Sequence, residues 1–379
     1  MHIAIAALHR PIQPTGVCRH AVNVARALST SPNIEKVTLI VGRWQLRYFQ
    51  SAFDLSHPKI QLASIDIENR SVWRNVWFMF GLPKVVQQLQ PDLLHLSFPL
   101  PFFRKLFNIP VVSSIHDFYV YDCPENFGYP QVWFNQWFLK QCISNSDRLA
   151  CVSQATLSTL RQYFPQSHRI PASVVYNYVD FSRESPVSPP EGFPADGSPF
   201  LLCVAQHRKN KNLDVLIRAY EQQRQAGVLT HDTKLVLVGS EGPETAALSD
   251  LVRACGLQAQ VIFLSGISDA QLRWLYENAR LFVMASSIEG FCVPLVEAIS
   301  FGCRVVCSDI PIFRELGLSD STFFSLEHPV ENLSIAIAAA LQTSQPSRQT
   351  KFSMKETARQ CLSFYFTPHV TDILESAKS

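Results

Sequence analysis

The stretch RLFVMASSIEGFCVPLVEAIS, residues 280–300, is the clearest indication of the fold. Its first part, RLFVMAS (280–286), is a short apolar run of the kind found in buried strands. Its last part, VPLVEAIS (293–300), has a helical pattern, and Pro294 stands in the first turn, where a missing N–H group does no harm. The stretch therefore predicts a strand, a loop that contains EGFC (289–292) and a helix.

The same alternation of strand and helix patterns fills the second half of the chain. It is typical of repeated βαβ units and of a parallel sheet covered on both faces. Its segments are PFLLCVA (199–205), LDVLIRAYEQQRQ (213–225), KLVLVG (234–239), ETAALSDLVRAC (244–255), QVIFLSG (260–266), DAQLRWLYENA (269–279) and RVVCSD (304–309). The first half repeats the theme in HIAIAAL (2–8), KVTLIVG (36–42), DLLHLS (92–97), PVVSSIHD (110–117), RLACVS (148–153) and SVVYN (173–177).

Between the halves lies SRESPVSPPEGFPADGSP (182–199), which is rich in Pro, Ser and Gly. It cannot continue a helix or a central strand, so it predicts an interdomain linker. The carboxyl ends of the two sheets would then face a central cleft, and ligands bind at such ends. We predict a Rossmann-like domain over 1–181, a linker over 182–198, a second Rossmann-like domain over 199–355 and a C-terminal helix over 356–379 that returns to the first domain.

Composition narrows the class of protein. Of the 379 residues, 47% are hydrophobic and 17% are charged, which suits packed cores and argues against disorder. The charges nearly balance, 33 basic against 31 acidic, so no nucleic-acid partner is expected. The opening MHIAIAALHR is too short for a signal peptide, and no apolar stretch is long enough for a membrane span. Ten scattered cysteines without a C-x-x-C pair suggest buried, reduced thiols in a cytosolic protein.

Two carboxylates and a basic cluster mark the candidate site. The helix that starts near Pro294 offers free N–H groups to a phosphate, and Glu289 and Glu297 would bracket it as acceptors for hydroxyl groups. Such an arrangement suits a nucleotide sugar. In AQHRKNKNL (205–213), Arg208, Lys209 and Lys211 follow a predicted strand and could neutralise a diphosphate. The alternatives are a solvated helix face for the glutamates and an exposed basic loop for the cations.

These residues carry a resemblance to a known family. The pattern E-G-F-x-x-P-L-x-E-A (289–298), followed by G-x-x-V-V-x-S-D (302–309), resembles the donor site of the family 4 retaining glycosyltransferases, which have the GT-B fold. Each motif is weak alone, but their order and spacing are specific. The other matching segments are TGVCRHAVNVARAL (15–28), PDLLHLS (91–97), SIHD (114–117), VVYNYVD (174–180), HRKNKNLDVLI (207–217), LVLVGSEGPE (235–244) and SGISDAQLRWLYENARLFVMAS (265–286).

The resemblance implies an α/β protein with two doubly wound domains, an acceptor-side domain first and a nucleotide-sugar-binding domain second. Glu289 would contact the hydroxyls of the donor sugar and Glu297 the ribose. The backbone N–H groups that would reach the sugar and the distal phosphate belong to Phe291, Cys292 and Val293.

Further roles follow from the same resemblance. Lys211 would hold the diphosphate with help from Arg208, and backbone groups near Ile267 would read the base. Gly16 would let the first loop approach the phosphates, since it has no Cβ. His116 would face the reaction centre from the first domain; the alternative is a core histidine. His95 is interpreted as structural.

Three positions depart from the family pattern. Cys292 replaces the usual glycine after E-G-F, which adds a side chain to the sugar-facing loop. Gln206 replaces a cationic phosphate contact, for which Arg208 could compensate, and Tyr178 stands where glycine is common. These departures bear on donor affinity and identity more than on the class of reaction.

The chain contains no D-x-D motif, in agreement with a metal-free site in which cations and a helix N-terminus stabilise the departing nucleoside diphosphate. No cofactor is expected beyond the nucleotide sugar, with UDP-glucose the favoured donor. The resemblance implies retention, with attack from the face that the leaving group occupied. Catalysis would consist mainly of positioning and electrostatics.

The expected acceptor is a glycan or a lipid-linked saccharide in polysaccharide biosynthesis. Aromatic and basic residues mix in VWRNVWFMFGLPK (72–84), FPLPFFRKLF (98–107) and YPQVWFNQWFLK (129–140). Such faces can lie on a bilayer, and the alternative is packing in the core. The expected location is the cytoplasm, with weak peripheral contact with the inner face of the membrane.

Three other functions share this fold or this resemblance. A GDP-mannose-dependent mannosyltransferase and a catalytically silent subunit of a polysaccharide assembly complex remain open. Against a sugar-nucleotide epimerase of the same fold, the pair Glu289 and Glu297 together with Lys211 argues for transfer. An NAD-dependent dehydrogenase is excluded, because only a single glycine, Gly16, and no G-x-G-x-x-G follows the first strand.

Overall fold

The computed structural model describes residues 1–10, 15–179, 189–190, 193, 197–317, 320–348 and 352–366. These residues form two compact units. Unit 1 takes Met1–Tyr178 together with the segment from Phe352, and unit 2 takes Val179–Lys351, each counted over its described residues. The predicted linker lies largely outside the described residues, so its bounds stay a prediction.

Unit 1 is built on seven parallel strands in the order β3-β2-β1-β4-β5-β6-β7. Nearly every side chain of the central strands is buried, as a sheet covered on both faces requires. The strands are β1 (His2–Ala6), β2 (Lys36–Gly42), β3 (Ile60–Ile65), β4 (Leu93–Leu96), β5 (Val111–Ile115), β6 (Arg148–Cys151) and β7 (Ala172–Val174). Its helices are α1 (Gly16–Ser29), α2 (Arg43–Ala52), α3 (Ser71–Val76), α4 (Leu82–Leu89), α5 (Tyr119–Asp122), α6 (Gln131–Asn145) and α7 (Gln154–Tyr163), with a π-helical turn at Trp77–Gly81.

Unit 2 repeats the plan with six parallel strands in the order β10-β9-β8-β11-β12-β13. The strands are β8 (Phe200–Val204), β9 (Lys234–Val238), β10 (Val261–Leu264), β11 (Leu281–Met284), β12 (Val305–Ser308) and β13 (Thr322–Phe324). The helices are α8 (Leu213–Gln225), α9 (Thr245–Ala254), α10 (Asp269–Asn278), α11 (Val293–Ser300), α12 (Pro311–Leu316) and α13 (Pro329–Gln342). The prediction of two doubly wound parallel sheets is confirmed.

The last described helix, α14 (Met354–Tyr365), belongs to unit 1. Ser353 caps its first turn by accepting a hydrogen bond from the N–H of Glu356. Cys361 and Tyr365 are fully buried in the core that α1 and the sheet share. The helix therefore completes the core of the unit that the N-terminal half of the chain builds.

Two further observations concern the chain as a whole. All ten cysteines are free, and all except Cys255 are buried. Among the described helices, none combines the length and the apolar character that crossing a bilayer requires.

Candidate active site

The strand order of unit 2 fixes where its ligand should bind. From β8 the chain first builds β9 and β10 on one side and then crosses to β11 on the other. The order thus reverses between β8 and β11, and doubly wound sheets bind ligands outside the carboxyl ends of the strands at such a point. The loops that leave these two strands carry Lys211 and Glu289, which are 78 positions apart in sequence.

Lys211 and Glu289 form an ion pair at this point. The Lys211 Nζ lies 2.6 Å from Glu289 Oε1, and 13% and 8% of the two side chains are exposed. The Ser286 hydroxyl donates to the same carboxylate oxygen at 2.8 Å. The structure therefore brings together the two charged residues to which the sequence assigns the diphosphate and the sugar.

The two loops are also tied together through their backbones. The N–H of Ser287 donates to the carbonyl of Asn210 at 2.9 Å, and the Asn212 side chain donates to the carbonyl of Ala285, also at 2.9 Å. Asn212 has a positive φ of 49°, a conformation that Asn tolerates better than most residues. These contacts fix the position of Lys211 against the loop of Glu289.

Glu297 lies in the second turn of α11 and is only 6% exposed. The hydroxyl of Tyr276 donates to its Oε2 at 2.7 Å. Burial and the nearby Glu297 raise the pKa of Tyr276 well above its usual value, so its hydroxyl keeps the proton that it donates. The alternative of a solvated helix face for Glu297 is wrong, since its carboxylate is held inside the unit.

Cys292 caps α11 in the left-handed conformation, with φ 55°. Glycine adopts this conformation readily, and a residue with a Cβ does so at a cost. Burial and the nearby Glu289 raise the pKa of the Cys292 thiol well above its usual value, so the thiol is neutral. The other two residues whose N–H groups are predicted to reach the sugar and the distal phosphate are Phe291, which is buried, and Val293, which begins the helix.

The loop after β8 joins the other two residues of the predicted diphosphate site. The Arg208 Nε donates to Gln206 Oε1 at 2.7 Å, so the glutamine orients the arginine that the sequence offers as its replacement. Ile267 lies in the loop between β10 and α10, at the edge strand of the sheet. It is thus separated from Glu289 by the width of the strands between β10 and β11.

Two glycines after β9 were missed as site determinants. A Cβ on Gly239 would lie 2.0 Å from the carbonyl oxygen of Ala205, and one on Gly242 would lie 2.3 Å from that of His207. Both contacts are impossible for a side chain, so glycine lets the β9 turn lie directly against the loop of Gln206. Both glycines belong to the motif LVLVGSEGPE (235–244), but the reason for glycine at these positions is evident only from the contact between the two loops.

In unit 1, His116 follows β5, as the sequence predicts. Its Nε2 lies 2.7 Å from the carbonyl oxygen of Ser97, and therefore carries the proton. Burial lowers the pKa of His116, against the opposing effects of that carbonyl and of Asp117. The neutral ring then presents Nδ1 as a hydrogen-bond acceptor.

Behind His116 lies a buried chain of hydrogen bonds that the sequence did not reveal. The His20 ring packs edge-on against His116 with centroids 4.6 Å apart. Its Nδ1 lies 2.5 Å from Asn177 Oδ1 and its Nε2 lies 2.8 Å from Ser114 Oγ. The Ser114 hydroxyl is also 2.9 Å from His95 Nε2, whose other ring nitrogen contacts the Tyr365 hydroxyl.

A single proton assignment satisfies the whole chain. If Tyr365 donates to His95, His95 to Ser114, Ser114 to His20 and His20 to Asn177, each neutral ring has one donor and one acceptor. Burial lowers the pKa of His20 well below its usual value and that of His95 to about 3, which agrees with neutral rings. His20 stands on the buried face of α1, and a histidine among apolar residues was the available signal.

Gly16 is the first residue of α1, which Thr15 caps by accepting a hydrogen bond from the N–H of Cys18. A Cβ on Gly16 would meet no described atom within 4 Å, so packing within unit 1 does not require glycine there. Its role toward a phosphate stays a prediction. Within the described parts of the chain, no three His, Cys, Asp or Glu side chains cluster as metal ligands would.

Comparison with known proteins adds independent information. The family model described as Glycosyltransferase Family 4 matches residues 14–183, and that described as Glycosyl transferases group 1 matches residues 187–360. Together they span almost all of the chain that the sequence assigns to the two domains.

Three proteins that are similar to this chain differ in how much of their length the match covers. The O-antigen chain mannosyltransferase B of Escherichia coli is 24% identical over 86% of this chain and 87% of its own length. The serotype-specific mannosyltransferase WbdA of Escherichia coli is 27% identical over 199 residues. These residues are 49% of this chain and 24% of that longer protein. The protein in the crystal structure of Anabaena HepE in complex with UDP and glucose is 18% identical in sequence to this chain. The structural match covers 100% of this chain and 98% of that protein's chain, with a TM-score of 0.64.

Proposed function

From the family to which this chain belongs, the group 1 glycosyl transferases of glycosyltransferase family 4, we propose that it transfers a hexose from a nucleotide sugar to a glycan or a lipid-linked saccharide, with retention and without a metal ion. The predicted donor-binding residues lie in unit 2 except for Gly16, which lies in unit 1 together with His116. The observation that carries the proposal is the Lys211–Glu289 pair at the point where the strand order of unit 2 reverses.

The order of the strands supports a nucleotide sugar as the ligand. Along the carboxyl edge of the sheet come the loop of Ile267 after β10, the cations after β8 and Glu289 after β11. A nucleotide sugar has its base, diphosphate and sugar in the same linear order. At roughly 4.8 Å per strand, β10 and β11 are about 14 Å apart, so each part of the ligand would meet its own loop.

In this proposal Lys211 and Arg208 neutralise the diphosphate, and the N-terminus of α11 adds N–H donors. Arrival of the diphosphate would give Lys211 a second anionic partner and would free acceptor capacity on Glu289 for the hydroxyls of the sugar. The bond from the anomeric carbon to the phosphate oxygen breaks while the bond to the acceptor oxygen forms. The acceptor proton passes to the leaving phosphate on the same face.

Two donors are compatible with this geometry. The sequence interpretation favours UDP-glucose, and the HepE structure contains UDP and glucose. The relatives named as mannosyltransferases favour GDP-mannose, and one of them aligns along 86% of this chain. We therefore rank GDP-mannose first and keep UDP-glucose as the second candidate. A polysaccharide built on a lipid carrier at the inner face of the membrane is the proposed setting.

Calorimetric titration of the purified protein with GDP, UDP and ADP, each with and without EDTA, tests the proposal. Tight binding of one nucleotide that survives EDTA is the expected result, followed by transfer from the matching sugar nucleotide. A strict need for Mg²⁺ would contradict the metal-free site. Binding of none of them would favour the silent subunit and make Cys292 and Gln206 the first residues to change to the family pattern.

A further inference from the structure

Unit 1 exposes an apolar surface that its own fold leaves uncovered. Val72, Trp73 and Phe80, on the outer side of α3 and the π-helical turn, are 70%, 53% and 53% exposed. Phe103 and Leu106, in the segment after β4, are also exposed, and the rings of Phe80 and Phe103 are 5.6 Å apart. Contact between these segments makes a single patch, which we call the 72–106 surface.

The helices beneath this surface are apolar on two sides. Phe78, Leu82 and Val86 recur every four residues and pack into the core of unit 1. Val72, Val76 and Phe80 recur with the same spacing and face outward. An ordinary surface helix has one apolar stripe. A second exposed apolar stripe of this size indicates that another molecule covers it when the protein functions.

The 72–106 surface also contains a groove. Its volume is about 370 Å³, and its lining includes Trp73, Trp77, Phe80, Lys84 and Glu68. The Glu68 carboxylate is paired with Arg70 at 3.8 Å, which offsets its charge. Aromatic walls with a lysine suit a molecule that has an apolar body and an anionic head. A phospholipid has this chemistry.

Basic residues outnumber acidic ones around the surface. Between residues 67 and 107 the chain has five basic residues and two acidic ones, Glu68 and Asp92, although the whole chain has 33 basic against 31 acidic. Lys84 and Lys105 are exposed beside the apolar side chains. Arg70 and Arg104 are already engaged with Glu68 and Asp147. The two lysines therefore supply the cationic character that complements an anionic headgroup.

A second row of exposed aromatics lies on α6 of the same unit. Trp133 and Trp137 are four residues apart and therefore on one face, and the ring of Tyr129 lies 5.2 Å from that of Trp133. Lys140 follows on this face and is exposed. Tryptophan and tyrosine beside lysine are the residues that settle at a membrane–water interface.

We propose that the 72–106 surface docks unit 1 on an anionic bilayer, with Trp73 and Phe80 inserted at the level of the headgroups and Lys84 and Lys105 on lipid phosphates. The proposal deepens the proposed function, since it rests on a lipid-linked acceptor for its purpose. A bilayer is favoured over a protein partner because exposed tryptophan, phenylalanine and lysine side chains combine on one amphipathic helical segment beside an aromatic groove.

Vesicle co-sedimentation tests the proposal without any donor present. The wild-type chain should bind vesicles that contain phosphatidylglycerol and bind pure phosphatidylcholine vesicles weakly. The double variant Trp73→Gln/Phe80→Gln should reduce binding at least about ten-fold, and each of Lys84→Gln and Lys105→Gln should reduce it about five-fold, with the effect fading in high salt.

Matched controls come from exposed residues of the same kind elsewhere. Ile335→Gln removes an apolar side chain that is 67% exposed on unit 2, and Lys355→Gln removes an exposed lysine on α14. Both should bind vesicles as the wild type does. Equal binding by the Trp73/Phe80 variant and the wild type would overturn the proposal, as would a wild type that binds neither kind of vesicle.

Two further measurements distinguish failure of the docking proposal from failure of the proposed function. Self-association that the Trp73/Phe80 variant abolishes, without vesicle binding by the wild type, would assign the surface to a second copy and overturn the bilayer. Nucleotide titration of the same variant shows whether the donor site is intact. Vesicle binding without binding of any nucleotide would keep the docking surface and reject the proposed function.

Discussion

Lys211 and Glu289 form a mostly buried ion pair that, in the proposed function, would also bind the ligand. Each side chain is mostly buried, so each would be costly without the other. The pair keeps both charges satisfied and leaves them at the carboxyl end of the sheet, where a diphosphate and a sugar would replace part of their contacts.

Glu289→Ala should reduce transfer by about 10²–10³-fold, because the main acceptor for the donor sugar is lost. Lys211→Ala should instead weaken binding of the nucleoside diphosphate. Steady-state kinetics and calorimetry separate the two effects. Glu277→Ala is the control, since it removes a carboxylate of the same unit that is paired with Arg273. Normal turnover by the Glu289 variant would remove that residue from the site.

The left-handed conformation of Cys292 leads to a second prediction at this scale. Cys292→Gly should change the free energy of unfolding by less than about 1 kcal/mol, because relief of the backbone offsets the lost side chain. Cys292→Val should be less stable than the glycine variant by at least about 1–2 kcal/mol, since a β-branched residue is poorly tolerated at positive φ. Urea denaturation measures both. Equal stability of the two variants would argue that Cys292 does not cap α11 as described.

At the scale of elements, α14 shows how a distant segment completes a domain. Its Tyr365 reaches the hydrogen-bond chain behind His116, and Arg148 of β6 donates to the carbonyl of Phe364 at 3.0 Å. The helix thus supports both the apolar core and the buried polar groups of unit 1.

Tyr365→Phe should lower the free energy of unfolding of unit 1 by about 1–3 kcal/mol, since it leaves the Nδ1 of His95 buried without its donor. Tyr163→Phe removes a partly exposed tyrosine hydroxyl from the same unit and should have an effect below about 0.5 kcal/mol. Thermal or chemical denaturation followed by near-UV circular dichroism compares the two. A Tyr365 variant as stable as the wild type would show that the chain of hydrogen bonds is dispensable.

The elements that escaped sequence reasoning share a physical cause. β3 lies at an edge of the sheet of unit 1, and Ile60 alone of its six residues is buried, so its sequence has no continuous apolar run. β13 is an edge strand of three residues, too short for any periodicity to show. Central strands were recognisable because burial on both faces selects an unbroken apolar sequence.

At the scale of the whole molecule, two buried histidines, His20 and His95, and two partly buried ones, His9 and His116, should make the free energy of unfolding depend on pH. Burial lowers the pKa of His95 to about 3 and that of His9 to about 4, and it also lowers those of His20 and His116. The unfolded chain binds these protons near pH 6.5, whereas the folded chain does not. The contribution of these neutral histidines to the free energy of unfolding is therefore fully present above about pH 6.5, and it is lost as the pH falls toward about 4.

Each histidine should contribute a loss of up to about 1.4 kcal/mol per pH unit below about pH 6.5. Urea denaturation between about pH 7.5 and about pH 5 measures the slope. His20→Gln and His95→Gln should be less stable at neutral pH and should show a shallower slope. A free energy of unfolding that stays constant across this range would mean that these histidines are not held neutral by the fold.

The sequence by itself determined the class of fold and the family, because both depend on local patterns: apolar runs that alternate with helical spacing, and motifs that are contiguous, as in residues 289–298. It also placed the charged residues of the candidate site at strand ends. It left open whether the glutamates were solvated and whether the aromatic stretches were core or surface.

Only the tertiary structure decided those questions, since they concern pairs of segments that are distant in sequence. Lys211 meets Glu289 because β8 and β11 are neighbours, and the buried Glu297 is satisfied by the hydroxyl of Tyr276 from another helix. Periodicity marks two apolar stripes on the helices of residues 71–89, but it does not say which stripe the core covers. Packing covers the stripe of Phe78 and leaves the stripe of Val72, Val76 and Phe80 exposed to solvent.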